Sequence, residues 1–166
     1  MKRILIILAF AALSINAQAQ QKIGYINSLE LLAAMPGIKK ADAQIKSLAE
    51  NYENQLKAMQ AEGEKKIKEF QASEKTMNEA MREVKITEIQ DLERRIQTLN
   101  ETATQKVSDK RETLYAPELK RANEAIQAVG KAKGYSFILD ASTNVLVYAA
   151  ETDNLLNAVK SHLGIQ

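Results

Sequence analysis

The sequence predicts an α+β protein in which a small β-sheet or barrel body, completed by oligomerisation, carries a long coiled-coil hairpin of α-helices. Three observations support this fold class. Residues 39–114 contain no proline and place apolar side chains at helical spacing. Both chain ends contain short runs rich in β-branched and aromatic residues, as strands do. These runs are too few to bury a core within one chain, so we expect further subunits to complete the sheet.

The chain therefore divides into three predicted segments. Residues 1–19 form a signal peptide, residues 20–38 and 115–166 form a β-rich body through which subunits associate, and residues 39–114 form the hairpin arm.

The signal peptide is predicted from three features of the N-terminus. Lys2 and Arg3 precede an apolar run, from Ile4 to Ile15, that carries no charge and is too short to span a bilayer. Ala17-Gln18-Ala19 then supplies the small side chains that a signal peptidase requires, so we place cleavage between Ala19 and Gln20. The alternative is an uncleaved membrane anchor. Because the chain contains no cysteine, a lipid anchor at the new N-terminus is excluded.

Removing this segment changes the charge of the protein. The full chain has 23 basic and 21 acidic residues, and loss of Lys2 and Arg3 leaves 21 of each (23 − 2 = 21). A balanced chain does not indicate nucleic acid as a partner. The absence of cysteine also excludes disulfides, thiolate catalysis and zinc–thiolate sites.

At the start of the body, Lys22–Asn27 reads as a strand. Ser28 can cap a short helix, which we expect to end at Met35-Pro36-Gly37.

Two apolar series predict the arm. The first steps by three and four residues in an eleven-residue repeat, from about Lys39 to Ser73, and the second follows a heptad. Between them, Thr76-Met77-Asn78-Glu79 matches a capping box, so we expect the chain to reverse near Gln71–Lys75. One continuous helix is the alternative, since no glycine or proline forces a turn. The series are Ile45, Leu48, Tyr52, Leu56, Met59, Gly63, Ile67 and Phe70, then Ile89, Leu92, Ile96, Leu99 and Ala103.

The C-terminal part of the body begins where Tyr115-Ala116-Pro117 interrupts the second helix, so that Pro117 either kinks it or opens a new segment. That segment presents Leu119, Ala122, Ile126 and Val129 on one face and stops at Gly134.

A β-hairpin is predicted next. Its strands are 135–140 and 145–149, joined by a turn through Ser142-Thr143-Asn144. A last helix starts near Thr152 or Asp153 and ends at Gly164.

Catalytic chemistry is not indicated. The chain lacks the common nucleotide-binding, metalloprotease and serine-hydrolase motifs. His162 is expected near the end of an amphipathic helix, and carboxylates such as Glu50 and Glu53 belong to a solvated Glu/Lys face. We therefore predict a protein that is not an enzyme and has no cofactor or metal site.

Across nearly all of residues 20–165 the sequence resembles the Skp/OmpH family of periplasmic chaperones. The resemblance lies in the order and spacing of the following stretches: 22–27 with Leu31-Leu32 and Met35-Pro36, then 39–44, 116–120, 134–140 and 145–148. It implies a jellyfish-like homotrimer whose small β-body bears three hairpins around a cavity. It also implies that the protein holds unfolded outer-membrane proteins there, without ATP, during their passage through the periplasm.

Two sets of candidate residues follow. Thioether and aromatic side chains of the distal arm, which adapt to varied partners, are candidates for client binding: Met59, Phe70, Met77 and Met81. Packing of the hairpin seam is the plainer explanation for Met59 and Phe70, and it is an equal alternative for Met77 and Met81, nearer the tip. Apolar residues of the predicted strands are candidates for oligomerisation of the body: Ile23, Tyr25, Phe137, Leu139, Val145 and Val147.

The arm departs from those family members whose basic arms are associated with lipopolysaccharide or anionic membrane. Residues 39–112 contain fifteen acidic and fifteen basic residues. We therefore transfer no phosphate site, and membrane or lipopolysaccharide contact is left open. Two other functions remain as alternatives: an exported coiled-coil scaffold of the cell envelope, and an accessory subunit that binds one folded partner.

Overall fold

The computed structural model describes residues 21–143 and 145–165. The predicted signal peptide, its cleavage site after Ala19, and Asn144 of the predicted turn lie outside these residues. The described chain is mostly helical, with two short strands. Its elements are β1 (Ile23–Ile26), α1 (Ser28–Ala34), α2 (Pro36–Ser73), α3 (Glu79–Ala132), β2 (Phe137–Asp140) and α4 (Leu156–Leu163), with single 3-10 turns at Ala141–Thr143 and Glu151–Asp153.

The long helical hairpin is confirmed. Helix α2 has 38 residues, a length of about 57 Å, and residues 74–78 reverse the chain into α3. Lys66 Nζ lies 3.0 Å from Glu88 Oε2, which places the two helices side by side. The alternative of one continuous helix is therefore wrong.

The ends of these helices differ in detail from the prediction. The helix end predicted at Met35-Pro36-Gly37 is confirmed, but Pro36 also opens α2, because proline at the first helical position loses no needed amide. The capping box at Thr76 is wrong. Asn78 caps α3, since its side-chain oxygen accepts a hydrogen bond from the Met81 amide at 2.8 Å. The Thr76 hydroxyl instead donates to the Ser73 carbonyl, at the end of α2.

Helix α3 runs through Pro117 without a break, so the predicted start of a new segment at Tyr115-Ala116-Pro117 is wrong. A proline inside a helix removes one backbone hydrogen bond. A helix of 54 residues tolerates this loss when the turns before and after the proline are packed against other residues.

The buried face of this last part of α3 is also shifted from the predicted one. Ala122 and Val129 are buried as predicted, together with Ala125, whereas Leu119 is 41% exposed. Ile126 is half-buried.

The sheet pairs the two chain ends in parallel. Ile23 lies opposite Phe137 and Ile26 opposite Asp140, and the Ser136 amide donates to the Lys22 carbonyl at 2.8 Å. The predicted β-hairpin is wrong, because residues 145–149 form no strand and β2 pairs with β1. The Asp140 carboxylate accepts a hydrogen bond from the Ser142 amide, which turns the chain into a 3-10 turn after β2.

The end of the chain is close to the prediction. Helix α4 begins at Leu156, after a 3-10 turn that contains the predicted starts Thr152 and Asp153. Gly134 and Gly164 have φ values of +71° and +70°, the left-handed conformation that ends a helix at low cost only for glycine.

The described residues form two compact units. The terminal unit consists of residues 21–31 and 123–165, and the hairpin unit is Leu32–Ala122. Helix α3 contributes to both. The terminal unit buries Ile26, Leu31, Ala125, Val129, Leu155, Leu156 and Val159. The hairpin unit buries Met35, Ile38, Ala41, Ile45, Leu92, Ala103 and Ala122.

Among the described residues, no helix is long and apolar enough to cross a membrane.

Candidate functional site

The seam of the hairpin unit is packed near the first turns of α2 and thin toward the tip. Ile38, Ala41 and Ile45 are each at most 5% exposed. From residue 46 to the end of α2 no residue is buried, and between residues 79 and 102 of α3 Leu92 alone is buried. The distal hairpin therefore leaves apolar surface in contact with water.

The candidate client-binding residues lie in this thin region. Met59, Phe70 and Met77 are half-buried, whereas Met81 is 54% exposed. Phe70, Met77 and Met81 lie near the tip, and Met59 lies about three helical turns from Phe70 along α2.

Three exposed apolar residues of the distal hairpin were not among the candidates. Ile67, Val84 and Ile86 are 37%, 56% and 38% exposed. Val84 continues the spacing of Met77 and Met81, so extending that series by one step along α3 could have found it. No pattern in the sequence distinguishes the other two from seam residues.

An ion pair joins the two helices where the apolar seam is thin. Lys66 Nζ donates to Glu88 Oε2 at 3.0 Å, and Lys85 Nζ lies 3.5 Å from the same oxygen. The hydrogen bond from Lys66 lowers the pKa of Glu88, and the same contact raises the pKa of Lys66. Both groups therefore stay charged at neutral pH.

Polar contacts also hold the tip and the other end of the hairpin. At the tip, an Arg82 side-chain nitrogen donates to the Glu74 backbone carbonyl at 3.2 Å. At the other end, the Tyr115 hydroxyl donates to the Asp42 carboxylate, and this hydrogen bond raises the pKa of Tyr115.

One flank of the hairpin carries a groove between α2 and α3. It consists of two open clefts of about 480 and 420 Å³ that meet at Leu56. Tyr52, Ile96 and Val107 contribute to its floor, and Glu93 and Arg111 line its opposite ends. We call this feature the flank groove. On each helix, lining residues follow a three-and-four spacing, which defines one helix face. They are residues 49, 53, 56 and 60 on α2 and residues 93, 97, 100, 104, 108 and 111 on α3.

In the terminal unit, one face of the sheet brings together four of the candidate oligomerisation residues. Ile23 pairs with Phe137 and Tyr25 with Leu139, so all four side chains share a face. Ile23, Phe137 and Leu139 are 49%, 54% and 46% exposed, and Tyr25 is half-buried. Burial raises the pKa of Tyr25, as does the hydrogen bond that its hydroxyl donates to Glu151 at 3.1 Å.

The outer edge of this sheet is formed by β2. The inner strand β1 is covered on its other side, where the Leu155 amide donates to the Tyr25 carbonyl at 2.9 Å. The Tyr25 carbonyl faces Leu155, so alternation turns the backbone groups of Gly24 toward β2, and those of its partner Ile138 face the open edge. Val145 and Val147, the remaining candidates, are 81% and 97% exposed in the segment that follows.

A charged clasp fixes this end of β2. Asp140 accepts hydrogen bonds from the Ser28 amide at 3.2 Å and the Ser28 hydroxyl at 2.5 Å, and from the Ser142 amide at 2.9 Å. Partial loss of hydration alone would raise the pKa of Asp140, but these hydrogen bonds outweigh it and lower the pKa to about 2. The clasp joins residues 112 positions apart, at the point where β1 passes into α1.

The described residues hold no group of three or more acidic or histidine side chains placed to bind a metal ion. His162 lies exposed in the last turn of α4, as predicted.

Comparison with known proteins agrees with this architecture. Residues 22–163 match the family model described as outer membrane protein (OmpH-like). Chaperone protein Skp of Vibrio cholerae serotype O1 is 26% identical over 162 residues, which cover 93% of this chain and 90% of that protein. Chaperone protein Skp of Photorhabdus laumondii subsp. laumondii is 24% identical over 166 residues, covering 96% and 97%.

A solved structure shares the fold. A crystal structure from Caulobacter crescentus CB15, whose protein is described as an OmpH-like outer membrane chaperone, has a TM-score of 0.74 to this chain at 18% identity. The match covers 89% of this chain and 86% of that one. This structural similarity shows a shared fold only.

The class of protein is thus a helical-hairpin α+β protein whose two chain ends form one small parallel sheet. The chain belongs to the OmpH-like family, as its resemblance in sequence predicts. The family relatives are chaperones and not enzymes, which confirms the prediction that this protein is not an enzyme.

Proposed function

We propose that the protein is an ATP-independent periplasmic holdase that binds unfolded outer-membrane proteins between the helical arms of a homotrimer. Binding prevents the clients from aggregating on their way to the outer membrane. Family membership and the names of the relatives support the chaperone role. The holdase mechanism, the clients, the compartment and the trimer are parts of the proposal.

The thin seam of the distal hairpin is the observation that carries the mechanism. Met81 and Val84 are more than half exposed, within helices whose other surface is dense in lysine and glutamate. Scattered apolar side chains on a charged helix bind an apolar chain weakly at each point, so a client can be held and released without an energy source. Half-buried Phe70 and Met77 expose further apolar surface to a client whenever the contacts at the hairpin tip open.

The terminal unit supports the trimeric part of the proposal. An apolar sheet face, an outer strand edge at β2 and a following apolar segment with Val145 and Val147 are features that a further subunit can cover. We propose that Ile23, Tyr25, Phe137 and Leu139 form this subunit interface together with those two valines.

Export to the periplasm rests on the N-terminal sequence. We propose cleavage after Ala19, which leaves a chain balanced in charge and able to enter an oxidising compartment without mispairing cysteines.

Aggregation of a diluted client tests the proposal. Purified mature protein is mixed with a urea-denatured outer-membrane porin, the urea is diluted, and turbidity is followed. We expect turbidity to be suppressed, with a soluble complex of one client per trimer. A scaffold would leave the turbidity unchanged, and an accessory subunit would bind a folded partner instead.

Paired variants test the distal surface. Met81→Ser with Val84→Ser is expected to weaken suppression severalfold, because both changes remove exposed apolar surface from α3. Ala80→Ser with Gln90→Ser changes two exposed residues of the same helix and is the matched control. Equal suppression by the two variants would contradict the role of the distal residues.

A further inference from the structure

The flank groove differs in charge from the rest of the hairpin. Thirty of the 74 residues between 39 and 112 are charged (15 + 15), but only Glu53, Glu93 and Arg111 are charged among the fourteen residues that line the groove. Glu93 and Arg111 stand at its two ends, and Glu53 is engaged by Lys57 at 2.6 Å. Glu53 lies between Ala49 and Leu56 along α2, so the uncharged part of the groove is its α3 side between Glu93 and Arg111.

The floor and the rim of the groove have different chemistry. The floor is apolar and continuous, formed by Ala49, Tyr52, Leu56, Ile96, Ala103 and Val107. The rim consists of amide and hydroxyl side chains, most of them in one row along α3: Gln60, Gln97, Asn100, Thr104 and Ser108. An amide side chain both donates and accepts hydrogen bonds, and a hydroxyl does the same. The Gln97 amide already donates to Glu101 at 3.0 Å and the Thr104 hydroxyl to the Asn100 backbone carbonyl at 3.0 Å, so these two side chains meet a client chiefly with their oxygen acceptors.

We propose that the flank groove binds an extended, uncharged stretch of an unfolded polypeptide client, an inference that rests on the proposed holdase function. Apolar client side chains lie on the floor, and the rim side chains form hydrogen bonds to the client backbone. Because every residue offers the same backbone groups, such binding does not depend on a particular sequence.

The charge and the length of the groove both favour this occupant. A charged client side chain placed beside Gln97, Asn100 and Thr104 on α3 loses hydration and meets only uncharged polar side chains there, so this side of the groove favours uncharged stretches. From Glu93 to Arg111 the α3 rim extends about 27 Å at 1.5 Å per residue. An extended chain at about 3.3 Å per residue spans this length with about eight residues. The groove thereby supplies a second client surface beside the exposed residues of the distal hairpin.

Charge insertion tests the proposal. Asn100→Lys with Thr104→Lys places two ammonium groups on the rim, whereas Thr98→Lys with Gln105→Lys places the same two charges on exposed positions away from the groove. The probe is a urea-unfolded outer-membrane β-barrel protein, and its affinity is measured by fluorescence anisotropy. We expect the rim variant to bind about tenfold more weakly, with the control within about twofold of the unmodified protein.

Photo-cross-linking provides a second readout that does not require the rim variant to fold. Because the chain has no cysteine, Asn100→Cys and Thr98→Cys each carry a single benzophenone label. We expect Asn100→Cys to cross-link to client segments that are uncharged and apolar, identified by mass spectrometry, and Thr98→Cys to cross-link severalfold less.

The outcomes separate the groove from the function. If the unmodified protein suppresses aggregation but the two lysine variants bind equally and the two labels cross-link equally, the groove proposal is overturned and the holdase function stands. Cross-links from Asn100→Cys to a second copy of this chain, or to charged client segments, would also overturn it. If the unmodified protein holds no client, both proposals fail.

Discussion

Replacing Asp140 with asparagine removes the charge from the clasp between β2 and the start of α1. The asparagine oxygen can still accept hydrogen bonds, but it does so without the negative charge that strengthens the bonds from Ser28 and Ser142. We expect the Asp140→Asn variant to fold and to be less stable at neutral pH. The loss should be greatest in the terminal unit, where the clasp lies.

The shifted pKa sets the magnitude. The pKa of Asp140 falls from 3.8 to about 2 in the folded chain, and each pKa unit corresponds to about 1.4 kcal/mol. The upper limit is therefore about 2.5 kcal/mol. Because the Asp140 side chain is largely exposed to water, solvent screening reduces the expected loss to about 1 kcal/mol.

The pH dependence has a definite sign. A carboxyl group whose pKa is lower in the folded state stabilises the fold above its unfolded pKa, and this contribution is lost as the pH falls through the folded pKa. The difference between the unmodified protein and Asp140→Asn should thus be complete at pH 7, shrink below about pH 4 and vanish only below about pH 2. Urea unfolding followed by circular dichroism at pH 7, 4 and 2.5 measures it.

Two controls decide whether the clasp is the cause. Asp109→Asn removes a carboxylate that accepts a hydrogen bond from Gln105 on the exposed surface of α3, and we expect it to change stability by less than about 0.5 kcal/mol. Ser28→Ala removes one donor of the clasp, so its effect should not add to that of Asp140→Asn. Full additivity, or a difference that persists unchanged at pH 2.5, would refute the reasoning.

The remaining predictions concern glycines and salt. Gly24→Ala should destabilise the protein by about 1–3 kcal/mol in thermal melting, because the added Cβ would lie 2.8 Å from the Tyr135 ring and 3.1 Å from Leu155. The same substitution at Gly63 should stabilise it by about 0.5–1 kcal/mol, since the Cβ meets only Leu92 at 3.6 Å within a helix that favours alanine, and a lower melting temperature would contradict this. Client affinity, measured by fluorescence anisotropy, should fall by less than tenfold between low and physiological ionic strength, because the charges of the hairpin are balanced. A larger fall would indicate capture by net charge.

The helical hairpin could be predicted because its signal is repeated along the chain. The spacing of Ile45, Leu92 and Ala103 places them in the seam, and all three are buried. The same spacing includes Ile67, which is exposed. Periodicity shows which face a residue occupies, but it does not show how closely the partner helix approaches that face.

The pairing of the strands could not be predicted from local pattern. Residues 135–149 have the apolar spacing of an antiparallel hairpin, yet β2 pairs in parallel with β1, more than 100 residues earlier in the chain. The contacts that decide between these pairings are long-range. They include the Ser136 amide on the Lys22 carbonyl and the Ser28 hydroxyl on Asp140.

The candidate surfaces differ in how well they can be predicted from the sequence. The exposed sheet face is accessible to prediction, because alternation in two short strands places Ile23 and Phe137 on one side. The flank groove requires the relative register of α2 and α3, since it exists only where Leu56 lies beside Ile96. Neither apolar series specifies that register alone.

Native mass spectrometry of the protein with an unfolded client tests the holdase proposal most directly. The mature protein is mixed with an equimolar urea-unfolded outer-membrane β-barrel protein, diluted out of urea, and analysed without ATP. We predict one dominant complex of three chains and one client, in which the client remains sensitive to protease and therefore unfolded. A client that precipitates alone, or one that leaves the mixture folded while the protein stays unbound, would contradict the proposal.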